Sequence, residues 1–199
     1  MSNLQSDIDY MKSLAEAGGK GPLRNGATLF WAGLLYGLAA IGQYAMIVGW
    51  LPKSGAVSAF IWFGASIIFG IIATVFCFDR LRIKGSVSNR ATASAWSAVG
   101  LGIVAFLISV AVIANIYQNF EPLSYLIAPV ILLFYGMGWW VSAQMSGLGW
   151  LKLISLGSFV AAPAVSCLAG QPVQMLAYAG CLFLFAMVPG LVLMRAEKA

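Results

Sequence analysis

Six long apolar runs separated by short polar breaks set the pattern of this chain. They extend from Ala27 to Trp50, Val57 to Phe78, Ala93 to Tyr117, Leu123 to Gln144, Leu151 to Ala169 and Val173 to Met194. Each holds about 19 to 25 residues, enough at 1.5 Å per residue to cross roughly 30 Å of hydrocarbon. Lipid offers no hydrogen bonds to a bare backbone, so each run must satisfy its own N–H and C=O groups, and a helix does this within one segment. A barrel would need ~10-residue stretches alternating apolar and polar positions, and the chain has none. The pattern therefore predicts an all-α fold, a polytopic bundle of six transmembrane helices over residues 27–194, with connections too short to hold a separate extramembrane domain.

Two short segments flank the bundle. Residues 1–26 form a polar N-terminal segment in which Ser6, followed three residues later by Asp9, has the form of a capping box. Leu4, Ile8, Met11, Leu14 and Ala15 then recur at helical spacing, and Gly18-Gly19 would stop the turn. A short amphipathic helix over residues 4–17, lying on the bilayer surface, is the expectation. The first apolar run is longer than a signal-peptide core and follows this polar stretch, so it is read as a retained helix. Residues 195–199 form a tail.

Composition agrees with lipid as the solvent. The 199 residues are 61% hydrophobic and 9% charged, whereas roughly a quarter of the residues in a soluble domain carry charge. The net charge of +5 does not point to nucleic acid, because the basic residues sit beside apolar runs, where they orient helices and meet anionic lipid. With the N-terminus inside, Lys12, Lys20, Arg24, Arg80, Arg82, Lys84, Arg90, Lys152, Arg195 and Lys198 share one side and Lys53 stands alone on the other. This asymmetry places both termini in the cytoplasm and favours a bacterial inner membrane. Trp31, Trp96, Trp140 and Trp150 then fall at inner interfaces, and Trp50, Tyr117 and Tyr125 at outer ones.

Candidate chemistry is sparse. The chain has no histidine, which removes His-ligated metal and haem sites and the usual general base. No apolar run carries a lysine or a pair of acids at its centre, and no nucleotide-binding glycine motif appears. An enzyme is not expected, nor any cofactor or metal. Cys77, Cys167 and Cys181 are isolated and read as free thiols; the last two differ in depth by roughly 8 Å, which strains a disulfide. Asp79 ends the second run, where the helix dipole opposes its charge, so a salt bridge with Arg82 or another of Arg80, Arg90 and Lys152 is expected at the inner interface.

Uncharged polar and breakable positions remain. Gln43 lies below the outer end of the first run, while Asn115, Gln118, Glu121, Gln171 and Gln174 crowd the outer surface. Tyr36 and Tyr135 lie near the bilayer centre, where each hydroxyl needs a partner. They also share a Leu-x-Tyr-Gly context 99 residues apart, as an inverted three-plus-three repeat would give, although the match is only four residues long. Gly33 and Gly37 form a GxxxG suited to close packing or to a homo-oligomer or partner contact, and Ser66-x-x-x-Gly70 makes a second notch. Pro163 and Pro189-Gly190 interrupt the last two runs as candidate hinges.

Two functions fit these features. In the first, the chain is a transporter or channel for a neutral small solute without ion coupling, with Gln43, Tyr36, Tyr135, Asn115 and Gln174 along the path. In the second, it is a non-enzymatic accessory, assembly or sensing subunit acting through helix–helix contacts. The bilayer is the expected surrounding in either case, with a small-molecule or lipid ligand as a further candidate partner.

Overall fold

The computed structural model describes residues 7–11, 26–81 and 87–198, with side chains placed for 7–11, 26–76 and 88–197. The described residues are helical apart from short connections, and six helices are long and apolar enough to cross a membrane. They are α1 (Gly26–Ile47), α2 (Gly55–Leu81), α3 (Val87–Tyr117), α4 (Glu121–Ser146), α5 (Gly149–Ser166) and α6. The last runs from Val173–Leu182 through a π-helical turn, Phe183–Met187, into Val188–Lys198. Among the described residues, six helices thus mark a membrane protein. Residues 7–11 form a helical turn with Ile8, Tyr10 and Met11 exposed; the rest of the amphipathic segment at 4–17 lies outside the described residues. Arg82 lies there too, as do the side chains of Cys77 and Asp79, and with them the expected Asp79–Arg82 pair.

Local chemistry explains several helix ends. Ser54 precedes α2, and its Oγ accepts the Val57 N–H at 3.1 Å, relieving one of the first orphan donors. α4 opens with Glu121-Pro122, a carboxylate at the positive end of the helix and a proline whose missing N–H costs nothing there. Gly147 closes α4 in the left-handed region (φ 72°), returning its N–H to the Ala143 carbonyl at 3.0 Å. The Gly26 N–H of α1 reaches Glu197 Oε1 at 3.5 Å, so the end of α6 supplies an anion to the start of α1.

α4 is the centre of the bundle and α2 its rim, since 50% of the apolar window of α4 is buried against 6% for α2. α1 packs on α2 and α6, and α4 packs on α5 and α3. Two lobes result, α1–α2–α6 and α3–α4–α5. At the level of helices this is the order an exchanged three-plus-three duplication produces, but the residues disagree. A Cβ on Gly37 would collide with Phe183 of α6, whereas one on Gly136 would come within 2.8 Å of Phe159 of α5. Tyr36 bonds to α2 and Tyr135 stacks on α3. The shared Leu-x-Tyr-Gly words therefore occupy non-equivalent places.

The tightest packing joins α1 to α6, antiparallel. A Cβ added to Gly26 would lie 2.6 Å from the Met194 nitrogen, one on Gly33 would strike the Met187 backbone, and one on Gly190 would strike the Phe30 nitrogen. The two backbones are in contact, which only glycine allows. Gly33 and Gly37 are therefore covered within the chain by Met187 and Phe183, and this face has no room for a helix of a second molecule. On α2 the case is reversed: a Cβ on Gly64 or Gly70 would meet nothing within 4 Å.

Candidate functional site

Several side-chain hydrogen bonds between helices converge on α4. Ser155 Oγ of α5 donates to the Gly136 carbonyl at 2.7 Å, and Ser88 Oγ of α3 donates to the Met145 carbonyl at 2.8 Å. Trp96 Nε1 of α3 donates to Ser142 Oγ at 3.0 Å, and Ser142 Oγ donates to the Gly138 carbonyl at 2.7 Å. Ser88, Ser142 and Ser155 are all buried. In hydrocarbon such groups must find protein partners, and each has found one on this helix.

Two further side chains link the lobes, and each donates to a carbonyl that a proline has left without its usual donor. In an α-helix the N–H of residue i serves the carbonyl of residue i−4, and proline has no N–H to give. Pro129 of α4 thereby deprives Tyr125, and buried Gln174 of α6 fills the vacancy, its Nε2 donating to the Tyr125 carbonyl at 3.0 Å and to the Val165 carbonyl at 3.4 Å. Pro189 of α6 likewise deprives Phe185, and Trp139 Nε1 of α4 donates to the Phe185 carbonyl at 2.7 Å. Trp139 is fully buried, edge-on to Trp96 with ring centroids 5.0 Å apart. The π turn over Phe183–Met187 lies just before Pro189, so the break in α6 is held by an indole from the neighbouring lobe.

The residues expected along a solute path are mostly engaged in packing. Gln43 Oε1 accepts from Ser58 Oγ at 2.9 Å and from Trp62 Nε1 at 3.2 Å, tying α1 to α2. Tyr36 donates its hydroxyl to Ser66 Oγ at 3.2 Å, and Ser66 Oγ donates to the Trp62 carbonyl at 2.8 Å. Tyr135 is buried against Trp96, ring centroids 5.5 Å apart. Tyr178 of α6 is buried as well. Asn115 stays at the exposed end of α3, where its Oδ1 accepts from Gln118 Nε2 at 3.2 Å. It does not join Gln174, which is enclosed between α4, α5 and α6.

The candidate hinges also separate. Pro163 stands in the last turn of α5, which ends at Ser166, so it terminates the helix and does not divide it. Pro189 follows the π turn and is fully buried, while Gly190 is one of the points where the backbones of α6 and α1 touch. Trp96 was expected at the interface, yet it is bonded and stacked inside the bundle; Trp140, Trp50 and Tyr117 are exposed as expected of anchors. Pro129, Trp139 and Ser155 were missed by sequence reasoning. Pro129 had a readable signal, a proline within an apolar run, whose i−4 rule names Tyr125. Nothing in the sequence names the partner that answers it.

No known family model matches the chain, and no curated protein or solved structure resembles it closely enough to count as a match.

Proposed function

We propose that this protein is a non-enzymatic accessory or assembly subunit of a membrane, acting through helix–helix contacts. One observation carries the reading: among the described residues, Thr92 Oγ1 is the single buried side-chain nitrogen or oxygen without a hydrogen-bond partner. A hydrated path or solute site keeps polar groups free to exchange partners with its cargo, whereas here Gln43, Gln174, Trp139 and the buried serines bind helices to one another. The rim helix α2 meanwhile presents Phe60, Phe63, Ile67 and Gly70 at alternating spacings of three and four, all exposed. That spacing is the seam a second helix uses.

Facilitated passage of a neutral solute is the second reading. Its support is the π turn in α6 at Phe183–Met187, since π turns recur where helices must deform. Liposome swelling separates the two. Proteoliposomes in urea or glycerol are expected to swell no faster than protein-free ones, while a photo-crosslinker at Phe63 in native membranes forms an adduct with another chain and one at buried Leu132 does not. Accelerated swelling that Gln43→Ala abolishes would overturn the accessory role, as would equal adducts at both positions.

A further inference from the structure

The exposed positions of α6 recur at strict steps of four: Leu176, Gly180, Leu184, Val188 and Val192. An α-helix turns about 100° per residue, so each step of four overshoots a full turn by about 40°. From Leu176 to Val192 the overshoot would reach about 160° and carry the stripe to nearly the opposite face of the helix. Both ends are nevertheless exposed, while Tyr178, Leu182, Ala186 and Gly190, each two residues further on, are all buried. The π turn supplies the difference. The Val188 N–H bonds to the Phe183 carbonyl and passes over the Leu184 carbonyl that an α-helix would give it. One extra residue in a turn takes back one step of about 100°, leaving about 60° of drift, so the stripe stays on one side.

Three neighbouring helices hold the turn. A Cβ on Gly37 of α1 would collide with the Phe183 ring, and one on Gly157 of α5 would lie 2.6 Å from the Phe185 ring, so each phenyl fills a place that a glycine leaves open. Trp139 of α4 takes the Phe185 carbonyl. Outward of the turn, Gln174 is bonded to carbonyls of α4 and α5. Inward of it, Gly190 meets the α1 backbone at Gly26 and Phe30. We propose that the π turn is a fixed register spacer, whose extra residue lets the outer half of α6 dock on α4 and α5 while the inner half keeps its backbone contact with α1. Without that residue α6 would be a continuous α-helix with one half rotated by about 100° against the other. Either Gln174 or Gly190 would then lose its seat. This inference is independent of the accessory role.

Deletions in the full-length protein test the role, read by monodispersity and thermal unfolding in detergent. Deleting Leu184, whose side chain is exposed, is expected to abolish the folded fraction, while Leu184→Ala leaves the unfolding temperature unchanged. Deleting Leu176 turns only the first three residues of α6, so it is expected to leave a folded protein that loses no more stability than Gln174→Met. A Leu184 deletion as stable as Leu184→Ala overturns the proposal, since the turn would then be strain that the chain can shed. Equal loss in both deletions also overturns it, because any shortening of α6 would then suffice. Spin labels test the geometry without a deletion, placed at single cysteines in liposomes after Cys77, Cys167 and Cys181 are replaced by serine. Labels at Leu176 and Val192 are expected to collide with dissolved oxygen several-fold more often than one at Met194. An uninterrupted helix would instead set Met194 directly in line with Leu176, and a Met194 label more accessible than the Val192 label overturns the proposal.

Discussion

At the scale of single residues, the bundle answers each backbone vacancy with a specific side chain. The Tyr125 carbonyl loses its helical donor to Pro129 and gains Gln174; the Phe185 carbonyl loses its donor to Pro189 and gains Trp139. A hydrogen bond between membrane helices contributes on the order of 1 kcal/mol, and a buried carbonyl left bare costs about 1 to 3 kcal/mol. Gln174→Met keeps the length and removes the donor, so it is expected to lower stability by about 1 to 2 kcal/mol. The cause can be isolated by adding Pro129→Ala, which gives the helix its own N–H at that carbonyl. In that background Gln174→Met is expected to lose most of its effect, as read by thermal unfolding in detergent and a double-mutant cycle. An undiminished cost would mean that Gln174 acts by packing alone. Trp139→Phe with and without Pro189→Ala is expected to follow the same course, with a larger remainder because the indole also packs on Trp96.

At the scale of helices, glycine marks which faces are already taken. Where α1 meets α6, the backbones touch at Gly26, Gly33 and Gly190, and a side chain there must force the helices apart. Gly33→Val is therefore expected to destabilise by about 1 to 3 kcal/mol, the usual cost of overpacking. Gly70→Val on α2, whose new atoms would meet nothing within 4 Å, is expected to leave the unfolding temperature unchanged or slightly raised. Equal losses in both would contradict this division of faces. GxxxG was visible in the sequence, but the choice between an inner and an outer neighbour was not, because a small residue suits either. The same gap explains where the run boundaries held and where they failed. Hydropathy reports contact with lipid, and α1, α2, α4, α5 and α6 were located by it to within a few residues. α3 starts at Val87, six residues before its apolar run, because Ser88 and Thr92 face the protein and are buried there. Trp96 was misplaced for this reason: measured from the true start of α3 it lies roughly 13 Å along the helix, past the interface and into the core.

At the scale of the whole molecule, two three-helix lobes are pinned by a few directional contacts, and we propose their orientation in the membrane from charge. Helix number and solvent were legible because twenty-odd apolar residues in succession have one physical use. The pairing of lobes was not, because it depends on which carbonyl meets which side chain across helices distant in sequence. Orientation stands between these cases. Ten of the eleven Lys and Arg residues fall on one side if Lys53 alone lies outside, and the membrane potential and insertion machinery both hold such clusters in the cytoplasm. The reverse orientation would require translocating all ten in short segments. The natural cysteines give a direct test. α5 runs away from the side that holds Lys152, and Cys167, which closes it, is an exposed free thiol. Cys181 is half-buried within α6. A membrane-impermeant maleimide is therefore expected to label intact cells through Cys167, with labelling lost in Cys167→Ser and retained in Cys181→Ser. If Cys167 reacts only after the membrane is opened, α5 points inward and the charge count has been read in the wrong sense.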